Sequence, residues 1–155
     1  MTERKRPKAP RAAVTTSTAK RPATAAGVVP SRDEVMQRRL VWRFADVDHE
    51  ARWNFSRLGG TDLVEVLVKL GSFESMTVRE VFYTGDDPGK EYDVATLPAP
   101  ARARLAAVGR EDETKLARLR LGGAPRLYGF MREHVFHILW WDPTHQVYPS
   151  RKKHT

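Results

Sequence analysis

The chain has 155 residues, a formal net charge of +8 and 41% hydrophobic residues, which favours one domain with a packed core. The absence of cysteine excludes a disulfide framework and thiolate metal sites, and it fits a reducing compartment. No apolar run approaches the roughly 20 residues that a membrane-spanning helix needs, so we expect a cytoplasmic protein without a membrane segment.

Positive charge is concentrated at the two ends of the chain. Residues 1–32 contain eight Lys or Arg and one Glu, whereas residues 33–114 contain 11 basic and 16 acidic side chains. Residues 115–155 contain eight basic and two acidic side chains. This distribution predicts that the C-terminal part of the protein faces a polyanion.

Composition divides the chain into three parts. Residues 1–32 are rich in Ala, Thr, Pro, Lys and Arg and contain no aromatic residue, so they cannot bury enough apolar surface to offset the entropy of ordering. We therefore predict a disordered basic arm over 1–32, either without a role or with loose affinity for nucleic acid. One α+β domain is predicted over 33–149, followed by a basic flexible tail over 150–155.

The first part of the domain is predicted to form one strand and three helices. Asp62 with Glu65, and Thr77 with Glu80, are spaced as capping boxes that begin helices, and Gly71 is a typical helix end. The predicted elements are a strand over 40–46, helices over 63–70 and 78–83, a polar loop over 84–96 and a helix over 101–108. Apolar residues at helical spacing in the first helix form its predicted core face: Leu63, Val66, Leu67 and Leu70.

The C-terminal part is predicted to be an antiparallel meander. Alternating apolar residues and turn signals indicate strands over 115–121, 126–132, 135–141 and 146–148. The fold class is therefore α+β, with a small antiparallel sheet in β-α-α-α-β-β-β order and helices packed on one face.

Five residues of the meander form a candidate catalytic site. Arg118 and Arg120 lie two apart on one strand, so both project from the same face, and Arg126 opens the next strand. His145 and Tyr148 lie just before and on the last predicted strand. Guanidinium groups bind phosphate and stabilise the charge of a transition state, and His and Tyr can transfer protons. This combination predicts phosphodiester chemistry.

Further residues are predicted to contact RNA. Trp140 and Trp141 are neighbours on a strand and face opposite sides, so one is expected in the core. The other, assigned to Trp141, is free to stack on a base, or to anchor a protein partner. The predicted RNA-binding residues are Lys115, Trp141, Arg151, Lys152 and Lys153.

Residues 118–128, which read Arg-Leu-Arg-Leu-Gly-Gly-Ala-Pro-Arg-Leu-Tyr, resemble the core of RelE-type messenger RNA interferases. These belong to the RelE/ParE-like toxin superfamily, and the resemblance covers mainly residues 115–148. It rests on two basic residues at x and x+2, a Gly-containing turn, an Arg before an aliphatic–aromatic strand, and the later pair Val147-Tyr148.

The resemblance implies a RelE-like fold. It also implies cleavage of messenger RNA, with or without the ribosome, by attack of the 2′-hydroxyl on the adjacent phosphate. It implies no metal and no cofactor, and it implies neutralisation by an antitoxin protein. The family often has an Arg before the last strand, where this chain has Asp142, and His145 is the nearest substitute.

Two alternative functions remain open, namely a non-catalytic RNA- or ribosome-binding module and a protein-interaction module of a mobile element. The candidate site residues also have purely structural interpretations. The structural alternatives are a solvated face at Arg118 and Arg120, an ion pair of Arg126 with Glu133 or Asp142, a turn residue at His145 and an amphipathic edge residue at Tyr148.

Overall fold

The computed structural model describes residues 27–85 and 88–149. Its elements are α1 (Arg32–Gln37), β1 (Val41–Arg43), α2 (Gly60–Glu74), α3 (Val78–Phe82), β2 (Gly89–Asp93), α4 (Ala99–Ala107), β3 (Lys115–Arg120), β4 (Arg126–Arg132) and β5 (Val135–Asp142).

The first helix, α1, begins within the last residues of the predicted arm. The arm before residue 27 and all of the predicted tail over 150–155 lie outside the described residues. Ser31 caps α1, with its hydroxyl accepting from the backbone N–H of Glu34, and Arg32 begins the helix. The described domain therefore starts about two residues before the predicted boundary.

The five strands form one sheet in the order β1-β5-β4-β3-β2. β1 runs parallel to β5, and the other neighbours are antiparallel. The α+β class is thus confirmed, with a mixed sheet in place of the predicted antiparallel one. The long helical connection after β1 makes the parallel pairing possible, because parallel neighbours require a crossover rather than a hairpin.

Apolar residues cover both faces of the sheet. On one face, Leu119, Leu127 and Trp141 form a core with α2 and α3. On the other face, Leu116 and Trp140 form a second core with α4. This corrects the prediction that the helices pack on one face only. A strand with apolar residues at successive positions carries apolar side chains on both faces, so both faces must be covered by other elements.

Three predicted elements differ from the structure. The predicted polar loop over 84–96 contains β2, an edge strand whose charged composition conceals its alternation. The segment 146–148 is not a strand. Its backbone is held by Asp142, whose Oδ2 accepts from the N–H of Val147 at 2.8 Å. The predicted helix over 63–70 begins at Gly60 without a side-chain cap and continues past Gly71 to Glu74, since tertiary packing overrides these local signals.

Other local signals are confirmed. Thr77 and Glu80 form the predicted capping box at the start of α3, with reciprocal hydrogen bonds of 2.7 and 3.2 Å. Pro100 lies in the first turn of α4, and β4 has the predicted bounds. Among the described helices, none combines the length and the apolar character needed to cross a bilayer.

Candidate functional site

Three arginines lie together on the sheet face that also carries α4. Arg118 and Arg120 are on β3, and the register pairs Arg120 with Arg126 and Arg118 with Tyr128. Residues paired across strands project from the same face, so the three guanidinium groups are neighbours. We call Arg118, Arg120 and Arg126 the arginine face. Leu119 points to the opposite face, towards α2 and α3, as the alternation predicts.

Arg118 is the buried cation of this face. The residue is only 7% exposed, and its Nη1 donates to the hydroxyl of Tyr92 at 3.1 Å. Its Nε is buried and has no hydrogen-bond partner. Within the described residues no carboxylate forms a salt bridge with Arg118. A buried guanidinium without a counter-charge is costly, so the site favours an anion.

Arg126 adds a second partly buried cation. Its Nη1 donates to the carbonyls of Gly123 at 2.5 Å and Pro125 at 3.0 Å. Burial, and then the positive charges of Arg118 and Arg120, lower the pKa of Arg126. The three arginines therefore repel one another, and a bound anion would relieve that repulsion.

The predicted ion pairs of Arg126 are not formed. Glu133, one of the two candidate partners, forms a salt bridge with Arg38 instead, with Oε2 3.7 Å from Nη1. Asp142, the other, faces Arg126 in the register of β4 and β5 without forming a salt bridge, and it is fully buried. One carboxylate oxygen of Asp142 holds the N–H of Val147, and the other has no hydrogen-bond partner.

His145 lies in the turn after β5, close to the arginine face. Its backbone has a positive φ of 58°, which places it in the left-handed region. Burial lowers the pKa of His145, the charges of Arg126 and Arg118 lower it further, and the charge of Asp142 opposes them. These effects favour the neutral form of its imidazole.

Tyr148 joins the site through Tyr92. The two rings are stacked with centroids 4.4 Å apart and an interplanar angle of 16°. Tyr92 also accepts the hydrogen bond of Arg118, and the Nζ of Lys90 lies 5.1 Å from its ring centroid. Sequence reasoning missed Lys90 and Tyr92. The stretch Lys-Glu-Tyr-Asp over 90–93 has no apolar alternation, so its sequence carries no signal that would have indicated them.

Tyr128 forms part of the floor of the arginine face and was also missed. Its side chain is fully buried and its hydroxyl has no hydrogen-bond partner. Burial, followed by the nearby Tyr92 and Asp142, raises the pKa of Tyr128. The hydroxyl thus stays protonated beneath the arginine side chains.

The predicted RNA-binding residues do not join the arginine face. Lys115 lies on the alternate row of β3, and its ammonium pairs with Asp93 at 2.6 Å. Trp141 is 3% exposed in the core beneath α2, so the prediction that it stacks on a base is wrong. Trp140 and Trp141 are both buried, because helices cover both faces of the sheet. Arg151, Lys152 and Lys153 lie outside the described residues.

A second surface feature is an apolar cavity of about 420 Å³ between α2 and the segment before it. Leu63 and Leu67, predicted to face the core, line this cavity and are 44% and 56% exposed, together with Phe44 at 60%. Val66 and Leu70, which were predicted to face the core with them, are buried as expected, so only half of the predicted core face of α2 is confirmed. An apolar surface of this kind can bind a partner.

Polar residues at the other end of the α4 face form a structural network. His137 Nδ1 lies 2.7 Å from Asp46 Oδ2, and Asp46 also pairs with Arg110. Within residues 27–85 and 88–149, no three His, Asp or Glu side chains are grouped so as to hold a metal ion.

Comparison of the chain with protein-family models, with curated proteins and with solved structures finds no match. The relation to RelE-type toxins therefore rests on the resemblance of residues 115–148 alone.

Proposed function

We propose that this protein binds RNA at the arginine face and cleaves it there, as a toxin-like endoribonuclease. The observation that carries the proposal is the buried guanidinium of Arg118, which has no carboxylate partner among the described residues and lies beside the facing pair Arg120 and Arg126. Arginine binds phosphate in a bidentate manner, as it does carboxylate. The resemblance to RelE-type interferases supports RNA as the source of that phosphate.

The residues around the arginine face suit attack by the RNA 2′-hydroxyl. The O2′–P bond forms, the P–O5′ bond breaks, and the products carry a 2′,3′-cyclic phosphate and a 5′-hydroxyl. The neutral imidazole of His145 accepts the proton of the 2′-hydroxyl, and Tyr148 donates one to the leaving oxygen. Arg118, Arg120 and Arg126 stabilise the charge on the phosphate oxygens.

The proposal includes partners and a place of action. Messenger RNA on ribosomes in the cytoplasm is the proposed substrate. An antitoxin protein with acidic side chains would compete with RNA for the arginine face, since both present negative charge. Binding of RNA without cleavage is the alternative that shares the same face.

A protein-interaction module is a second candidate function. The exposed tryptophan on which that prediction depended is absent, because Trp140 and Trp141 are both buried. What favours this function instead is the apolar cavity bordered by the exposed side chains of Phe44 and Leu67.

The test is cleavage of a defined single-stranded RNA, with and without ribosomes and in EDTA. We expect the wild-type protein to cut in EDTA, and Arg126→Ala to lower the rate on the order of a hundredfold or more. Tyr148→Phe keeps the stacked ring and removes the hydroxyl, and His145→Gln removes the proton acceptor. Both are expected to slow cleavage without unfolding the protein. Arg57→Ala is the matched control, because Arg57 is exposed and its neighbours Phe55 and Leu58 pack against the core on the opposite face of the sheet.

Three results would count against the proposal. RNA binding without cleavage by the wild-type protein, on or off the ribosome, would support the non-catalytic module. If all three variants cleave RNA at the wild-type rate, the proposed activity stands and the assigned site residues are wrong. No affinity for RNA at all would leave the apolar cavity as the functional surface.

A further inference from the structure

A cavity of about 390 Å³ lies at the β2 edge of the sheet, beside the arginine face. Arg118 and Arg120 line it from β3, and Lys90 lines it from β2. The register places Lys90 directly opposite Arg118. Two members of the arginine face are therefore shared between the proposed reaction site and this cavity.

The charges in the cavity are unbalanced. Lys115, at its rim, already pairs with Asp93, and Glu91 accepts a hydrogen bond from the hydroxyl of Tyr83 at 3.1 Å. Within the described residues, neither Lys90 nor Arg120 forms a salt bridge. Two cations without carboxylate partners thus face the same cavity, which favours a second anion there.

Lys90 is also held in place. Its Nζ lies 5.1 Å from the ring centroid of Tyr92, and that ring is itself stacked on Tyr148 and hydrogen-bonded by Arg118. A cation–π contact of this kind reduces the freedom of a long side chain. The ammonium is therefore positioned for a ligand at lower entropic cost than an exposed lysine on a helix surface.

We propose that this cavity is a second phosphate subsite, in which Lys90 and Arg120 bind the RNA phosphate adjacent to the one at the arginine face. Neighbouring strands lie about 4.8 Å apart, so Lys90 is roughly 10 Å from the row of Arg126 across β3. The RNA strand therefore crosses the sheet from β4 to β2, perpendicular to the strands. This inference rests on the proposed function and gives the direction in which the substrate runs.

The first test is the salt dependence of binding to a short single-stranded RNA, measured by fluorescence anisotropy. Each phosphate contact on single-stranded RNA contributes about 0.7 to the slope of log K against log salt. We expect Lys90→Ala and Lys90→Gln to reduce the slope by about that amount. Arg57→Ala, which removes an exposed arginine from the segment before α2, is expected to leave the slope unchanged.

The second test neutralises one phosphate of the RNA at a time with a methylphosphonate linkage. At one position next to the cleaved linkage, the loss of affinity seen with the wild-type protein should be smaller in Lys90→Ala, because one of the two cation contacts is already absent. If the losses of affinity caused by the methylphosphonate and by Lys90→Ala simply add at every position, and the salt slope is unchanged, the subsite is wrong while RNA binding stands. A wild-type protein that does not bind RNA would overturn the proposed function together with the subsite.

Discussion

At the scale of single residues, Asp48 fixes the segment between β1 and α2. Its carboxylate accepts from Arg104 Nε at 2.7 Å and Nη2 at 2.6 Å, from Trp140 Nε1 at 3.0 Å and from the N–H of Ala51 at 3.1 Å. Asp48 is 7% exposed. A buried carboxylate with this many donors ties the segment to both α4 and β5.

The same contacts predict a dependence of stability on pH. The hydrogen bonds of Arg104 lower the pKa of Asp48 from its usual 3.8 to about 2. Because the folded pKa is lower than the unfolded one, the contribution to stability is complete above about pH 4 and is lost as the pH falls towards 2. It amounts to about 2 kcal/mol.

Urea denaturation between pH 2 and pH 7 measures this contribution. Asp48→Asn should lower the free energy of unfolding at pH 7 by about 2 kcal/mol or more, and flatten its dependence on pH below 4. Asp62→Asn, an exposed carboxylate on α2, is the control and should follow the wild-type curve. Parallel curves for wild type and Asp48→Asn would contradict the prediction.

At the scale of elements, Gly129 marks the irregular pairing of β4 and β5. The register shifts between Tyr128 and Gly129. A Cβ at Gly129 would collide with the backbone carbonyl of His137 and lie 2.6 Å from the ring of Phe136. The two strands approach closely here only because residue 129 has no side chain.

Two glycine substitutions are therefore expected to have opposite effects. Gly129→Ala should destabilise the protein by about 1–3 kcal/mol or more, because backbone atoms cannot yield. Gly71→Ala lies within α2 with no atom within 4 Å of the new Cβ, and should stabilise the helix by about 0.5–1 kcal/mol. Thermal unfolding followed by circular dichroism compares them, and a Gly129→Ala protein as stable as the wild type would contradict the assigned pairing.

At the scale of the whole molecule, one sheet is shared by two apolar cores. β3, β4 and β5 contribute alternate residues to both, as Leu116 and Leu119 show. Disrupting either core removes the packing that covers one face of the same strands. The two cores should therefore unfold in a single cooperative transition.

Leu105→Ala tests this coupling. Leu105 is 1% exposed on α4 and belongs to the core that contains Trp53 and Trp140. The substitution should cost about 2–5 kcal/mol. The four indole N–H signals in an NMR urea titration, including those of Trp42 and Trp141 on the other face, should then shift to the same lower midpoint. Separate midpoints for the two faces would show that the cores unfold independently.

The sequence alone determined what depends on neighbours along the chain. The capping box of Thr77 and Glu80 and the strands β3 to β5 were predictable because spacing sets which groups meet within a helix turn or share a strand face. For the same reason, the spacing of Arg118 and Arg120 is sufficient to place both side chains on one face of β3.

The tertiary structure decided what depends on pairing between distant segments. The edge strand β2, with Lys90 and Tyr92, reaches the arginine face only through its register with β3, and its charged residues carry no apolar pattern. The burial of Trp141 and the exposure of Leu67 follow from which helix covers which sheet face. Alternation specifies that two faces exist, whereas the packing of helices onto the sheet decides which of them is covered.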